Sequence, residues 1–177
     1  MRVWTLPAGA LLVLALQGCS TPTAGSTDHY NRGVQLFLSD PDAAEKEFRA
    51  AIKDNPNNEF AHNQLGRLYF TRKRYSEAVT CFQHAVRIQP NNLDFLENLA
   101  RAAVMSGDPA LAEGSYKRAM QLAPKVAAYP YNLGLLAERA GRTEEAAVYY
   151  RKAIEADPFF TQARSRLLKL NPNQILP

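Results

Sequence analysis

The chain has 177 residues, of which 46% are apolar and 21% are charged, close to the averages for globular proteins. This composition excludes a wholly disordered chain and a coiled coil, and the length is that of a single domain. Two cysteines are too few for a disulfide framework. The net charge of +4 is too small to indicate nucleic-acid binding by itself, and three histidines leave little material for a metal site.

Residues 1–18 have the features of an export signal. Arg2 gives a positive start, and the apolar stretch 3–16 is shorter than the roughly 20 residues that span a membrane. The stretch ends in Leu16-Gln17-Gly18-Cys19, which resembles the lipobox of bacterial lipoproteins. The resemblance implies cleavage before Cys19 and acylation of that cysteine, for example with palmitate. An ordinary cleaved signal and a buried core helix are the alternatives.

The residues after Cys19 indicate a cellular location and a flexible tether. Ser20 stands where an aspartate would resemble the inner-membrane retention signal, so the lipoprotein resemblance implies the outer membrane of a Gram-negative bacterium, on its periplasmic face. Residues 20–27 contain no apolar side chain larger than alanine and predict a flexible tether. We therefore assign residues 19–28 to the lipidated cysteine and its tether.

The strongest signal in the sequence is a repeat with a period of 34 residues. Five series of residues keep this spacing, which composition alone does not explain. The series are Pro56, Pro90, Pro124 and Pro158; Ala51, Ala85, Ala119 and Ala153; Ala44, Ala78, Ala112 and Ala146; Phe48, Phe82, Tyr116 and Tyr150; and Leu65, Leu99 and Leu133, which are followed by the small residues Gly66, Ala100 and Gly134.

Each unit is predicted to consist of two helices. In the last unit, small and apolar residues at helical spacing indicate one helix over 129–140, and a second helix runs from Thr143 until Pro158 ends it. Asp40-Pro41 and Asp108-Pro109 are typical of helix starts, with aspartate as the N-cap and proline in the first turn.

Small residues within the repeat predict close packing of the paired helices. Gly66 and Gly134 would let two helices approach each other, and an aromatic residue such as Tyr116 or Tyr150 would fill the gap between them.

The order Leu-Gly, Ala, aromatic, Ala and Pro resembles the tetratricopeptide repeat (TPR) family. The resemblance covers residues 29–158 and implies an all-α superhelical solenoid of antiparallel helix pairs. The implied units are one degenerate repeat at 29–56, full repeats at about 59–92, 93–126 and 127–158, and a capping helix with a tail at 159–177. A cap is expected because the last repeat otherwise exposes an apolar face.

Three positions depart from the family pattern. The first unit is one residue shorter than the others between Gly33 and Ala44. Lys73 replaces the glycine that ends the first helix in later units, and His62 stands where the family prefers a large aromatic residue. We expect these departures to affect local turns and to leave the fold unchanged.

The sequence predicts no catalytic chemistry. His29, His62 and His84 fall at unrelated positions of the repeat, so they do not form a metal site, and His62 is expected to pack in place of the usual aromatic. Cys81 adjoins the core position Phe82 and is interpreted as a buried, inert thiol. The sequence has no phosphate-binding glycine loop, serine elbow or metal-ligand spacing. We expect neither an enzyme nor a small-molecule substrate or cofactor.

A cluster of basic residues raises nucleic-acid binding as an alternative. Arg67, Arg72, Lys73 and Arg74 lie near the end of a predicted helix, where the helix dipole favours cations. Glu77 follows closely, and an exported protein does not meet nucleic acid. We therefore predict no nucleic-acid partner.

The TPR resemblance implies a protein or peptide ligand in a concave groove lined by the first helix of each pair. Aromatic rings there supply contact area, and amides pair with a peptide backbone. Two alternatives remain: the asparagines at 31, 98 and 132 are structural, and Glu97 with Arg101 is a helix-surface ion pair. By position the groove residues are Phe60, Asn63, Arg67, Phe70, Asp94, Glu97, Asn98, Arg101, Tyr131, Asn132, Leu135 and Glu138.

One known ligand class is set aside by the sequence. Some cytosolic TPR domains bind the carboxyl terminus of a chaperone through a lysine and asparagine set. Its positions carry Asn63, Glu97 and Tyr131 here.

The resemblance implies a non-catalytic scaffold. Small TPR lipoproteins of this layout resemble assembly factors of type IV and tight-adherence pili and pilotins for secretin channels. One alternative is an adaptor that regulates a peptidoglycan enzyme or a protease. A second alternative is a structural module that self-assembles through the ends of the solenoid.

Overall fold

The computed structural model describes residues 24–170, and these form α-helices without any strand. The all-α solenoid architecture predicted from the repeat is thereby confirmed. The predicted signal, Cys19 and the tail after residue 170 lie outside the described residues. The helices are α1 (Ala24–Leu36), α2 (Pro41–Asp54), α3 (Glu59–Thr71), α4 (Tyr75–Ile88), α5 (Leu93–Ser106), α6 (Pro109–Leu122), α7 (Ala128–Arg139), α8 (Thr143–Ala156) and α9 (Thr161–Leu170).

Each helix packs against the next helix in the chain. The pairs α1/α2, α3/α4, α5/α6 and α7/α8 form four units, and α9 packs on α8. Across units, α1 also contacts α3, and α3 contacts α5. Because α1, α3 and α5 touch across units, the first helices of the units lie on the inner side of a curved stack. None of the helices within residues 24–170 has the length and apolar character of a membrane-spanning segment.

Glycines allow the two helices of a unit to approach closely. A Cβ atom built on Gly134 would lie 2.5 Å from a ring carbon of Tyr150, well inside van der Waals contact. The aromatic ring of the second helix therefore fills the space that the glycine of the first helix leaves open. The same contact recurs in three units: Gly33 with Phe48, Gly66 with Phe82, and Gly134 with Tyr150.

The short first unit keeps this packing by changing its turn. Helix α1 ends three residues after Gly33, whereas α3 ends five residues after Gly66. The connection 37–40 is then one residue longer than the connection 72–74. The missing residue is thus absorbed at the helix end, and Gly33 still faces an aromatic ring.

The boundary between tether and domain requires a correction. Residues 24–28, which the sequence analysis assigned to the tether, belong to α1. Ser26 is fully buried, where its hydroxyl donates to the carbonyl of Ala51 at 2.9 Å and accepts from the amide of Asn58 at 2.9 Å. The lack of large apolar side chains predicted a tether here. Hydrogen bonds, and not apolar side chains, fix the start of the helix.

The predicted helix starts at Asp40 and Asp108 are confirmed. Each aspartate accepts a hydrogen bond at 3.0 Å from the backbone N–H three residues ahead, which satisfies a donor that the first turn leaves unpaired. Asn58 and Asn92 cap α3 and α5 in the same way. These two asparagines lie 34 residues apart, a series that the sequence analysis did not use.

Helix α9 closes the C-terminal end of the stack. Ala163 and Leu167 are fully buried in the hydrophobic core shared with α7 and α8. Arg166 also forms an ion pair with Glu138 of α7 at 3.0 Å. The apolar face of the last unit is thereby covered.

Candidate functional site

Two adjoining cavities lie on the inner face of the stack. The α5–α7 cavity has a volume of about 250 Å³ and is lined by Phe70, Arg101, Val104, Met105, Tyr116, Asn132, Leu135, Leu136 and Arg139. The α3–α5 cavity has a volume of about 260 Å³ and is lined by Arg67, Phe70, Thr71, Phe82, Asn98 and Arg101. Phe70 and Arg101 belong to both, so the two cavities form one groove.

Six predicted groove residues line these cavities: Arg67, Phe70, Asn98, Arg101, Asn132 and Leu135. Four others lie on the same inner helices near their N-terminal ends. Phe60 is 48% exposed, with its ring centroid 6.0 Å from that of Phe95, and Asp94 is exposed. Asn63 accepts a hydrogen bond from the amide of Asn98 at 3.0 Å, and Glu97 is half-buried.

Two predicted groove residues are engaged by the cap. The hydroxyl of Tyr150 donates to Glu138, whose other carboxylate oxygen pairs with Arg166. The ring of Tyr131 packs between Tyr150, at a centroid distance of 5.8 Å, and Phe160, at 5.2 Å. These two side chains therefore join α9 to the last unit rather than line either cavity.

The groove is basic along the C-terminal halves of its helices. Arg67, Arg101 and Arg139 are all exposed, and none of the ion pairs formed within residues 24–170 uses them. The guanidinium of Arg101 lies 5.5 Å from the centroid of the Phe70 ring. The alternative of an ion pair between Glu97 and Arg101 is therefore not realised in this structure.

Tyr116 reaches the α5–α7 cavity from the outer helix α6. Only 3% of its surface is exposed, and burial raises the pKa of its hydroxyl to about 12. Within the described part of the chain that hydroxyl has no hydrogen-bond partner, whereas the equivalent hydroxyl of Tyr150 donates to Glu138.

Comparison with known families assigns the repeat. Models described as tetratricopeptide repeat match residues 61–125 and 97–159. Residues 61–159 are built of tetratricopeptide repeats. TPR domains mediate protein–protein interactions, and the two matched segments include the inner helices α3, α5 and α7 that form the groove.

The TPR segment is similar to parts of larger proteins. It is 32% identical over 85 residues to the peroxisomal targeting signal receptor of Saccharomyces cerevisiae and 30% identical over 143 residues to the protein O-mannosyl-transferase TMTC3 of Mus musculus. These matches cover 48% and 70% of this chain but only 14% and 16% of the relatives. The photosystem I assembly protein Ycf3 of Synechococcus sp. (strain WH7803) is 29% identical over 108 residues, which cover 58% of this chain and 61% of that protein.

Solved TPR structures share the fold. The crystal structure of MamA has a TM-score of 0.77 at 23% identity and covers 84% of this chain and 81% of its own. The structure of YrrB, described as a TPR protein with an unusual peptide-binding site, has a TM-score of 0.70 at 19% identity and covers 84% of this chain and 88% of its own.

Sequence reasoning missed several residues of the TPR groove. Thr71, Met105 and Arg139 line the cavities and lie one helical turn beyond Arg67, Arg101 and Leu135. They also keep the 34-residue period, so continuing the predicted face by one turn would have found them. Tyr116 and Phe82 could not be found in this way because they belong to outer helices.

No histidine lines the groove. His62 is buried, donates to the carbonyl of Pro56 at 3.0 Å and stacks on His84 at 4.9 Å between ring centroids. Burial lowers the pKa of His62, and the neighbouring His84 and the positive charge of Arg87 lower it further, against the opposing bond to Pro56. Within residues 24–170, no group of three potential ligands could hold a metal ion.

The free thiol and two arginines of the basic cluster, Arg72 and Arg74, also lie outside the groove. Cys81 is buried, and desolvation raises the pKa of its thiol to about 11, so it is protonated at neutral pH. Arg72 pairs with Glu45 at 2.8 Å, and Arg74 pairs with Glu77. The cluster that raised nucleic-acid binding is thus partly neutralised by its own neighbours.

Proposed function

We propose that the chain is a non-catalytic scaffold that binds a peptide segment of a partner protein in the groove formed by α3, α5 and α7. The observation that carries this proposal is the pair of adjoining inner cavities. They combine apolar walls with exposed arginines that have no carboxylate partner within residues 24–170. A solvent-exposed groove of this kind leaves both contact area and charge for a ligand.

We also propose that the scaffold is anchored by lipid to the outer membrane and faces the periplasm. The support is the lipobox-like Leu16–Cys19 motif. Residues 20–23 lie between Cys19 and Ala24, the first described residue of α1. A groove so close to the anchor would present its ligand next to the membrane.

The role that fits best is an assembly factor for a pilus or a secretion system. Such systems are built at the membrane from subunits that need a local docking site, and similarity to a photosystem I assembly protein favours assembly in general. An adaptor for a peptidoglycan enzyme or protease uses the same groove and is the first alternative. A self-assembling module is the second.

Site-specific photo-crosslinking in living cells tests the groove. A probe replaces Met105, which is 51% exposed and lines the α5–α7 cavity, and a control probe replaces the exposed Arg151 on the outer helix α8. Crosslinks at Met105 alone to a pilus or secretion subunit are expected. Crosslinks only at Arg151 would contradict the groove, and a wall enzyme or a second copy at Met105 would select one of the alternatives.

Fractionation of a Cys19→Ala variant tests the anchor. The variant is expected to move from the membrane fraction to the soluble periplasmic fraction, while a Cys81→Ala control stays with the membrane. Membrane retention of Cys19→Ala would rule out lipidation at this cysteine.

A further inference from the structure

We infer that the groove recognises an acidic segment in which a large apolar side chain stands next to carboxylates. The apolar side chain enters the α5–α7 cavity, and a carboxylate binds between Arg101 and Arg139. This inference rests on the proposed function, since it specifies the ligand of the same groove.

The charge of the groove selects an acidic ligand. Five arginines outside the two cavities each pair with a glutamate: Arg49, Arg72, Arg74, Arg142 and Arg166. Arg67, Arg101 and Arg139 face the groove without such a partner among the described residues. Guanidinium groups bind carboxylates in a bidentate geometry. Three arginines along one groove therefore favour a segment with several carboxylates.

The shape of the cavity selects an apolar anchor. Its walls include Phe70 from α3, Val104 and Met105 from α5, and Leu135 from α7. A volume of about 250 Å³ lies below the range of typical small-molecule sites and suits a single large side chain. Met105 is 51% exposed, so filling the cavity would bury apolar surface that now faces water.

The hydroxyl of Tyr116 is open to a ligand. The residue lines the cavity, and its hydroxyl forms no hydrogen bond within residues 24–170. Every buried side-chain oxygen and nitrogen among these residues has a partner, so this hydroxyl is reached by solvent from the cavity. A ligand carboxylate held by Arg101 would accept a hydrogen bond from it.

The opposite half of the groove sets the direction of the ligand. Asp94 and Glu97 lie toward the N-terminal end of α5, and neither forms an ion pair among the described residues. They would repel a carboxylate placed there. The acidic part of the segment is therefore held along the C-terminal halves of α3, α5 and α7.

A selection experiment tests this inference. The purified full chain is panned against a random dodecapeptide library displayed on phage, and the best peptides are measured by fluorescence anisotropy. We expect enrichment of aspartate and glutamate next to leucine, phenylalanine or methionine. The double variant Arg101→Gln/Arg139→Gln is expected to bind the selected peptide at least about tenfold more weakly, and Tyr116→Phe to bind it several-fold more weakly. The matched control Arg151→Gln on α8 is expected to bind it unchanged.

The outcomes separate this inference from the function on which it rests. Peptides that bind without acidic enrichment, but lose affinity in a Met105→Asp variant, would overturn the acidic ligand and retain the groove. Selected peptides that bind the unchanged chain and all cavity variants with equal affinity would overturn both the acidic ligand and the groove. Panning that enriches no peptide over the uncoated surface would do the same. Unchanged melting temperatures of the variants ensure that a loss of binding is not a loss of fold.

Discussion

At the scale of single residues, Lys73 is the non-glycine residue with a left-handed backbone among residues 24–170. Its φ of 60° is left-handed, as are those of Gly107 at 82° and Gly141 at 73°, which occupy the same position in later units. Lys73 therefore keeps the left-handed turn between the two helices, although it stands in place of glycine. A residue with a Cβ atom loses roughly 1–2 kcal/mol in this conformation.

We predict that Lys73→Gly stabilises the protein. The relief of strain exceeds the additional entropy that glycine gives the unfolded chain, so the free energy of unfolding should rise by about 0.5–1 kcal/mol. Urea denaturation followed by circular dichroism measures this change. Gly141→Lys is the reciprocal variant and should lower stability by about 1 kcal/mol. A loss of stability in Lys73→Gly would show that the lysine side chain contributes more than its backbone costs.

His62 makes stability depend on pH. Its folded pKa is lowered, so the unfolded chain binds a proton more readily than the folded one, and stability is lost as pH falls through about 6.5. His62→Phe restores the aromatic residue that the repeat prefers and should flatten the loss between pH 7 and pH 5. Unfolding free energies of both proteins at several pH values measure the effect. An equal loss in the two proteins would assign the pH dependence to other groups.

At the scale of helix pairs, the glycine–aromatic contact sets the spacing. Gly134→Ala gains helix propensity but places a methyl group against the ring of Tyr150. Overpacking should prevail and lower the free energy of unfolding by about 1–3 kcal/mol. Gly114 on α6 has no atom within 4 Å of a built Cβ, so Gly114→Ala should raise stability by about 0.5–1 kcal/mol. Thermal melts of both variants measure the contrast, and a stabilised Gly134→Ala would contradict the packing described here.

The helices could be predicted because the repeat supplies several independent signals for each of them. Prolines, capping aspartates and small residues recur together in the repeat. The structure places α8 at Thr143–Ala156, which agrees with the helix start predicted at Thr143. The start of α1 could not be predicted because hydrogen bonds to Ser26 leave no periodic apolar pattern. The groove was predictable as a helix face. The engagement of Glu138 by Arg166 was not, because it depends on the direction in which α9 returns.

At the scale of the whole molecule, the cap decides whether the stack ends in a covered core. Leu167 is fully buried, whereas its neighbour Leu168 is 45% exposed. Leu167→Ala should therefore cost about 2–5 kcal/mol of stability, and Leu168→Ala should change it by less than about 0.5 kcal/mol. Differential scanning calorimetry of the two variants measures both values. Equal effects would mean that α9 does not seal the last unit.

The α5–α7 cavity belongs to no single unit. Its walls come from three successive inner helices, with Phe70 on α3, Val104 on α5 and Leu135 on α7. Straightening the stack moves these walls apart, and tightening it brings them together. A bound side chain would therefore act as a wedge that fixes the curvature of the solenoid, and tension along the stack would weaken the grip on that side chain. In the proposed complex, the groove would couple ligand binding to the curvature of the solenoid.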